Sequence, residues 1–344
     1  MFKKILFLTL ALALTACAPK TAAPTTLTVM THDSFAVSEE VIAAFEEAQG
    51  VEVVFLASGD AGAALNKAIL TKDAPLADVF FGVDNTFLSR ALEAEIFEPY
   101  DAPALAKVPS QFQLDSSNHL LPVDFGDVCI NYDKAYFTEK DLAIPSSFED
   151  LLKSEYKGLL AVENPATSSP GLAFLMATIA HFGEDGYLDY WAGLRENGVV
   201  VADGWETAYY TNFSASSGHG AQPMVVSYGS SPAAEVIFAE TALDDAPTAS
   251  ILETCFRQIE FVGILAGTEN RALAEAFVDF MLSTEFQEDM PMQIFVYPVL
   301  PSAKLPAEFV KYAEMPENPA SLAPNLIAKN REQWIQDWTE TVLK

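Results

Sequence analysis

Basic side chains are scarce in this chain: 19 lysines and arginines stand against 48 aspartates and glutamates in 344 residues, a net charge of −29. A field of that sign repels phosphodiester backbones and anionic lipid headgroups, which excludes nucleic acid and an electrostatic membrane patch as partners. It concentrates cations, so a cationic ligand fits better than an anionic one, although solubility accounts for the charge equally well. Histidine is scarce too. His32, His119, His181 and His219 are the four imidazoles, and none stands in metal or triad spacing. There is no G-x-S-x-G, no H-E-x-x-H and no Walker loop, so no enzyme class is indicated. Asp124 and Asp127 could suggest a glycosidase pair, but among so many carboxylates such pairs arise by chance. Ser216-Ser217-Gly218-His219-Gly220 reads as a loop. The chain has no internal repeat, and its one greasy run, Ile5 to Leu14 broken by Thr9, is too short to span a bilayer.

What is present begins with that run. Lys3 and Lys4 precede it, and Leu14-Thr15-Ala16-Cys17 closes it at a small-residue cleavage site. The pattern resembles a bacterial lipoprotein lipobox, which implies that residues 1–16 are a signal peptide and that Cys17 becomes the lipidated first residue. An ordinary signal peptide cut near Ala16 is the alternative. Ala18 does not resemble the aspartate that retains lipoproteins in a Gram-negative inner membrane. Residues 17–26, small and proline-containing, read as a flexible leash. Loss of the signal removes two lysines and no acid, moving the net charge further from zero. Cys129 and Cys255 remain; they read as two small buried side chains, with pairing in an oxidising compartment left open.

Half of the residues are hydrophobic and 11% aromatic, so the chain can build a large core, and its length suggests two lobes. Strand and helix signals alternate. Leu27 to Met30 predicts a strand, and Ser38 can cap a helix with Glu39 and Glu40 in its first turn. Val51 to Leu56, Ala77 to Phe81, Leu121 to Tyr132, Gly158 to Val162, Met224 to Tyr228 and Ile259 to Ala266 read as further strands. Ala61 to Leu70, Phe148 to Leu152, Pro170 to His181 and Ala272 to Leu282 read as helices. Continuous apolar strands separated by helices predict an α/β fold with mostly parallel sheets flanked by helices.

In such sheets ligands sit beyond the carboxyl ends of the strands. Those places here carry Thr31-His32-Asp33-Ser34-Phe35, Ser58-Gly59-Asp60-Ala61-Gly62, Gly82-Val83-Asp84-Asn85, Asn164 to Gly171 and Tyr228-Gly229-Ser230-Ser231-Pro232. Each alone is an ordinary helix start. Five at equivalent topological places read as one cleft.

In this order these loops, with Pro122 to Gly126, Gly204 to Tyr209, Tyr297-Pro298-Val299 and Arg331 to Ile335, resemble periplasmic solute-binding proteins of ABC importers, specifically the thiamine-binding type. The resemblance runs over most of the mature chain. It implies a two-lobed type II binding-protein fold with the ligand cleft between the lobes. Lobe 1 would be 27–123 with 260–344 and lobe 2 124–259, with crossovers near Pro122 to Gly126 and Cys255 to Phe261. It implies an aromatic wall of Trp205, Tyr228 and Phe295, with His32 beside it and Tyr209 facing the cleft. Asp60 and Ser168 would meet the ligand's tail, and Asp33 and Asp84 complete the implied set. Relatives carry tryptophan in place of Phe295 and aromatic side chains near Val37 and Ala234. The implied ligand is thiamine, a thiamine phosphate or a related cationic heterocycle. The implied partners are ABC permease subunits and a membrane reached through the lipid anchor, for an extracytoplasmic monomer that is not an enzyme and needs no cofactor or metal. The alternative within the same fold is ferric iron held by Tyr209, Tyr210 and His32, since phenolates, imidazole and carboxylate suit that ion. On an extended segment those two tyrosines would point opposite ways.

Overall fold

A computed structural model describes residues 25–216 and 219–344; the signal segment, Cys17 and most of the leash lie outside the described residues. The chain runs β1 (Thr25–Thr31), α1 (Glu39–Gln49), β2 (Val51–Ala57), α2 (Ala61–Leu70), β3 (Val79–Asp84), α3 (Leu88–Glu93) and β4 (Phe97–Glu98). Next come β5 (Leu121–Asp133), α4 (Lys134–Glu139), β6 (Leu160–Glu163), α5 (Ser169–Phe182), α6 (Tyr187–Glu196), β7 (Val200–Ala202) and the short α7 (Trp205–Thr207), continued by a π turn over Ala208–Asn212. The remainder is β8 (Met224–Tyr228), α8 (Ser231–Ile237), β9 (Thr248–Leu265), α9 (Arg271–Met281), α10 (Thr284–Gln293), β10 (Tyr297–Pro298), α11 (Ala307–Tyr312) and α12 (Pro324–Val342).

Two parallel groups make two α/β lobes: β1 pairs parallel with β2 and β3, and β6 pairs parallel with β7 and β8. β3 is buried throughout and β1 is buried from Leu27 to Thr31 except for the half-buried Thr28, as expected where helices cover both faces. The groups are joined by antiparallel pairing, because the long strands β5 and β9 lie side by side in the order β2-β1-β3-β9-β5-β8-β6-β7. One end of β9 pairs with β3, Val79 opposite Ile264, while β5 pairs with β8, Val128 opposite Tyr228. Each lobe thus owns one end of the β5–β9 pair. Its register shifts between Pro122 and Asp124 and again between Val128 and Ile130.

Several sequence expectations shift. The last long strand begins at Thr248 rather than Ile259, since its first half alternates buried and half-buried side chains instead of forming an apolar run. The strand at Ala77 to Phe81 starts later and extends to Asp84. Ser38 stands at the N-cap of α1 but its hydroxyl caps nothing; its backbone N–H donates to Asp289 Oδ2 at 2.9 Å. Cys129 and Cys255 are not two separate buried thiols but a disulfide between β5 and β9, beside the second register shift. The C-terminal helix α12 touches both lobes. Trp338 meets Trp191 of α6 edge-to-face at 5.4 Å, and Arg331 lies 4.6 Å over the Phe87 ring beside α3. Among the described residues no helix is long and apolar enough to cross a membrane.

Candidate functional site

The strand ends of the two lobes meet at the starts of α2 and α5. Asp60 caps α2, its Oδ1 accepting from the Ala61 N–H at 2.7 Å, while its Oδ2 accepts from the Ser169 N–H of the opposite lobe at 3.3 Å. The two helix N-termini therefore share one carboxylate, the charge that suits both dipoles. Ser168 caps α5 through the Gly171 N–H and is buried. Asp84, at the end of β3, accepts from the Thr86 N–H and hydroxyl at 2.7 and 2.5 Å, and also from the Ser169 hydroxyl. Gln258 of β9 links the pair, donating to Ser169 Oγ at 2.8 Å and to Asp84 Oδ2 at 3.3 Å. Tyr228 closes this network, its hydroxyl donating to Gln258 Oε1 at 3.4 Å.

Charge accumulates here without cations. Burial pushes Asp84 up to about 6 and raises Asp60. Asp124 on β5 and Glu163 at the end of β6 are fully buried, and burial holds both well above the usual carboxylate range; Glu260, directly opposite Asp124, adds its repulsion. His32 Nε2 lies 3.7 Å from Glu260 Oε1. Burial alone would lower that imidazole, but the negative charge of Glu260, with Asp60 and Asp33 behind, raises it. The ring reaches this place because residue 82 is glycine: at φ +109°, a Cβ there would stand 2.6 Å from His32 Cδ2.

The chamber thus brings together His32, Asp60, Asp84, Ser168 and Tyr228 of the expected set. Asp33 is exposed and ties two loops, its Oδ1 accepting from the Gly59 N–H at 2.8 Å. Trp205 is tied to the strand that carries Tyr228: its Nε1–H donates to Ser227 Oγ at 2.9 Å, and its ring stacks on Tyr209 at 5.1 Å. Phe295 sits in a left-handed conformation (φ +58°), its carbonyl accepting from the Ser230 hydroxyl and its ring edge-on to Phe238. Tyr209 differs from expectation. The segment is helical rather than extended, and Tyr209 is buried in a small core with Phe213 and Val225, its hydroxyl donating to Glu235 Oε1 at 2.5 Å. Tyr210 is exposed, its ring at 87° to that of Tyr209. A separate cavity of about 320 Å³ opens beside His32 and Asp33, walled by Phe35, Val37, Ile42 and Phe55.

Asp124, Glu163, Gln258 and Glu260 belong to the chamber yet are absent from the sequence-derived set. A carboxylate inside the apolar run from Leu121 to Ile130 is the one signal that marks Asp124. Among the described residues no group of three or more histidine, cysteine and acidic side chains is arranged to hold a metal ion.

Comparison with known proteins agrees with this geometry. Residues 74–317 match the family model described as bacterial extracellular solute-binding protein. The thiamine-binding periplasmic protein of Salmonella typhimurium is 32% identical over 331 residues, covering 95% of this chain and 96% of the relative. A solved periplasmic thiamin binding protein superposes with a TM-score of 0.80 at 27% identity, over 93% of this chain and 99% of that one. A ferric binding protein from Campylobacter jejuni has a TM-score of 0.74 at 19% identity, over 92% and 99%, a likeness of fold.

Proposed function

The chain belongs to the bacterial extracellular solute-binding protein family, and from that premise we propose that it is the binding component of an ABC importer, capturing thiamine, a thiamine phosphate or a related cationic heterocycle between its two lobes. It is a transport component rather than an enzyme. The similarity to thiamine-binding relatives along almost the whole length of both proteins carries this reading. The site supports it: a thiazolium is a flat cation, and the seam between the lobes offers Tyr228, buried carboxyls and helix starts. His32, Asp60, Asp84, Trp205, Tyr228 and Phe295 contact the ligand in this proposal, while Asp33, Ser168 and Tyr209 hold those side chains in place. Lobe 1 comprises 27–123 and 260–344, lobe 2 comprises 124–259, and the β5–β9 pair is the hinge. The protein works as a monomer, anchored outside the cytoplasm through lipid on Cys17. Ferric iron is less well served, because the Tyr209 phenol is buried and donated to Glu235.

A thermal-shift screen tests the reading. Protein beginning at Thr25 is melted with thiamine, its phosphates, its pyrimidine and thiazole fragments, and iron(III). A ligand at a hundredfold excess over Kd stabilises by about 2.7 kcal/mol, so thiamine or a phosphate should give a clear rise. A flat response to every thiamine compound, from a folded protein, contradicts the proposal.

A further inference from the structure

Most acids of the chamber are matched. Asp60 accepts two backbone N–H groups, Asp84 accepts from Thr86, Ser169 and Gln258, and nearby Asp127 is held bidentately by Arg257 at 2.6 and 2.9 Å. Asp124 and Glu163 are the exceptions: 0% and 1% exposed, with no hydrogen-bond partner on any carboxyl oxygen. They stand on different strands, β5 and β6. Asp124 stands on β5 opposite Glu260 of β9, and Glu260 faces His32, whose Nε2 is also without a hydrogen-bond partner. Glu163 ends β6 beneath the start of α5. Residue 171 must be glycine there, because a Cβ would stand 2.7 Å from the Glu163 carbonyl oxygen. Tyr228 lies between the groups, and its hydroxyl feels Glu260, Asp60, Asp84 and Glu163 together. Among the described residues no lysine or arginine pairs with Asp60, Asp84, Asp124, Glu163 or Glu260, Arg257 being taken by Asp127. A buried carboxyl with neither donor nor counter-charge is unfavourable as an anion and persists as the neutral acid.

We propose that Asp124, Glu163 and Glu260 are the counter-charges for the positively charged ring of the ligand, and that the chamber releases protons from Asp124 and Glu163 as the cation enters. The inference rests on the solute-binding reading above and goes beyond it by naming the acids that select for charge and by coupling binding to protons. The exchange balances: each carboxyl that ionises sends one proton to solvent, and its negative charge is met by the entering cation. The groups facing this event from the surrounding elements are His32 and Asp33 after β1, Asp60 at α2, Asp84 at β3 and Tyr228 at β8. The cation also repels an imidazolium at His32, so that side chain loses its proton in the same direction. A neutral ring of the same shape would gain stacking and no charge pairing, leaving the acids protonated.

Calorimetry tests this with thiamine and with a neutral analogue whose thiazolium is replaced by a thiophene ring. Each is titrated into the protein in two buffers of different ionisation heat. Thiamine should release protons, and its affinity should climb with rising pH by up to tenfold per pH unit for each proton released. The analogue should release none. Glu163→Gln and Asp124→Asn should weaken thiamine about tenfold or more, leave the analogue within about twofold, and melt no lower than the parent, since a neutral amide replaces a neutral acid. Buffer-independent thiamine binding, or variants that bind thiamine as the parent does, overturns the inference while the transport reading stands. Should a variant not fold, proton release by the parent decides alone. A parent that binds neither compound contradicts the thiamine reading itself, and this inference with it.

Discussion

Trp205 shows how a side chain is prepared for a ligand. Its Nε1–H is anchored to Ser227 and one face of the indole is already covered by Tyr209, so little side-chain freedom remains to be lost on stacking. Trp205→Ala should weaken thiamine binding by roughly 2–4 kcal/mol, the scale of a buried aromatic anchor, with a small change in the ligand-free melting temperature. Calorimetry beside a melt checks this; a variant that melts far lower yet binds normally when folded would make Trp205 a core residue instead. At this scale the sequence revealed the polar loops that gather Asp60, Asp84, Ser168 and Tyr228, because the ends of parallel strands are places a one-dimensional pattern can locate. It did not reveal Asp124, Glu163 and Glu260. Those acids sit in strands whose apolar neighbours mask them, and strand pairing sets their place, β5 with β9 for Asp124 and Glu260 and β6 with β7 for Glu163. Nor did it reveal Tyr209's burial, which follows from a π turn that has no simple hydrophobic period.

Among the elements, β5 and β9 decide the most. They are the only strands shared by both lobes among the described residues, and the disulfide joins them 126 residues apart in sequence. Closing so long a loop restricts the unfolded chain, so reduction should lower stability by about 2–4 kcal/mol. Urea denaturation with and without reductant measures this, and coincident transitions would mean that the bridge adds nothing. The start of α5 is the second sensitive point. Gly171→Ala should force the helix away from β6 and cost about 1–3 kcal/mol, with weaker thiamine binding as Ser168 and Ser169 move. Urea titration and calorimetry of this variant should therefore change together; an unchanged affinity would separate the helix start from the site. The helices α2 and α9 were legible nearly to the residue from their apolar faces. The first half of β9 was not, because its pattern mixes exposed and buried positions, and its place is fixed by the partner strand rather than by its own composition.

The whole molecule carries its acidity inward as well as outward. Asp84, pushed up to about 6 by burial, binds a proton more tightly in the folded than in the unfolded chain. Its contribution favours the folded state at pH below 3.8 and is lost as pH rises through about 6. Asp124, Glu163 and His32 are raised as well and act in the same direction. Asp150, drawn down to about 2 by Lys153, acts oppositely but only in stronger acid. The ligand-free protein should therefore melt higher near pH 5 than near pH 8, which calorimetric scans will show; a melting temperature that climbs steadily over that range would contradict the buried-acid description. The two lobes, their shared strands and the helix α12 that touches both frame a seam in which a flat cation completes the chamber. The most direct test of that claim is isothermal titration of thiamine into protein beginning at Thr25 at neutral pH. The account predicts saturable binding of one thiamine per chain. An absence of saturable binding, from protein shown to be folded, would contradict it.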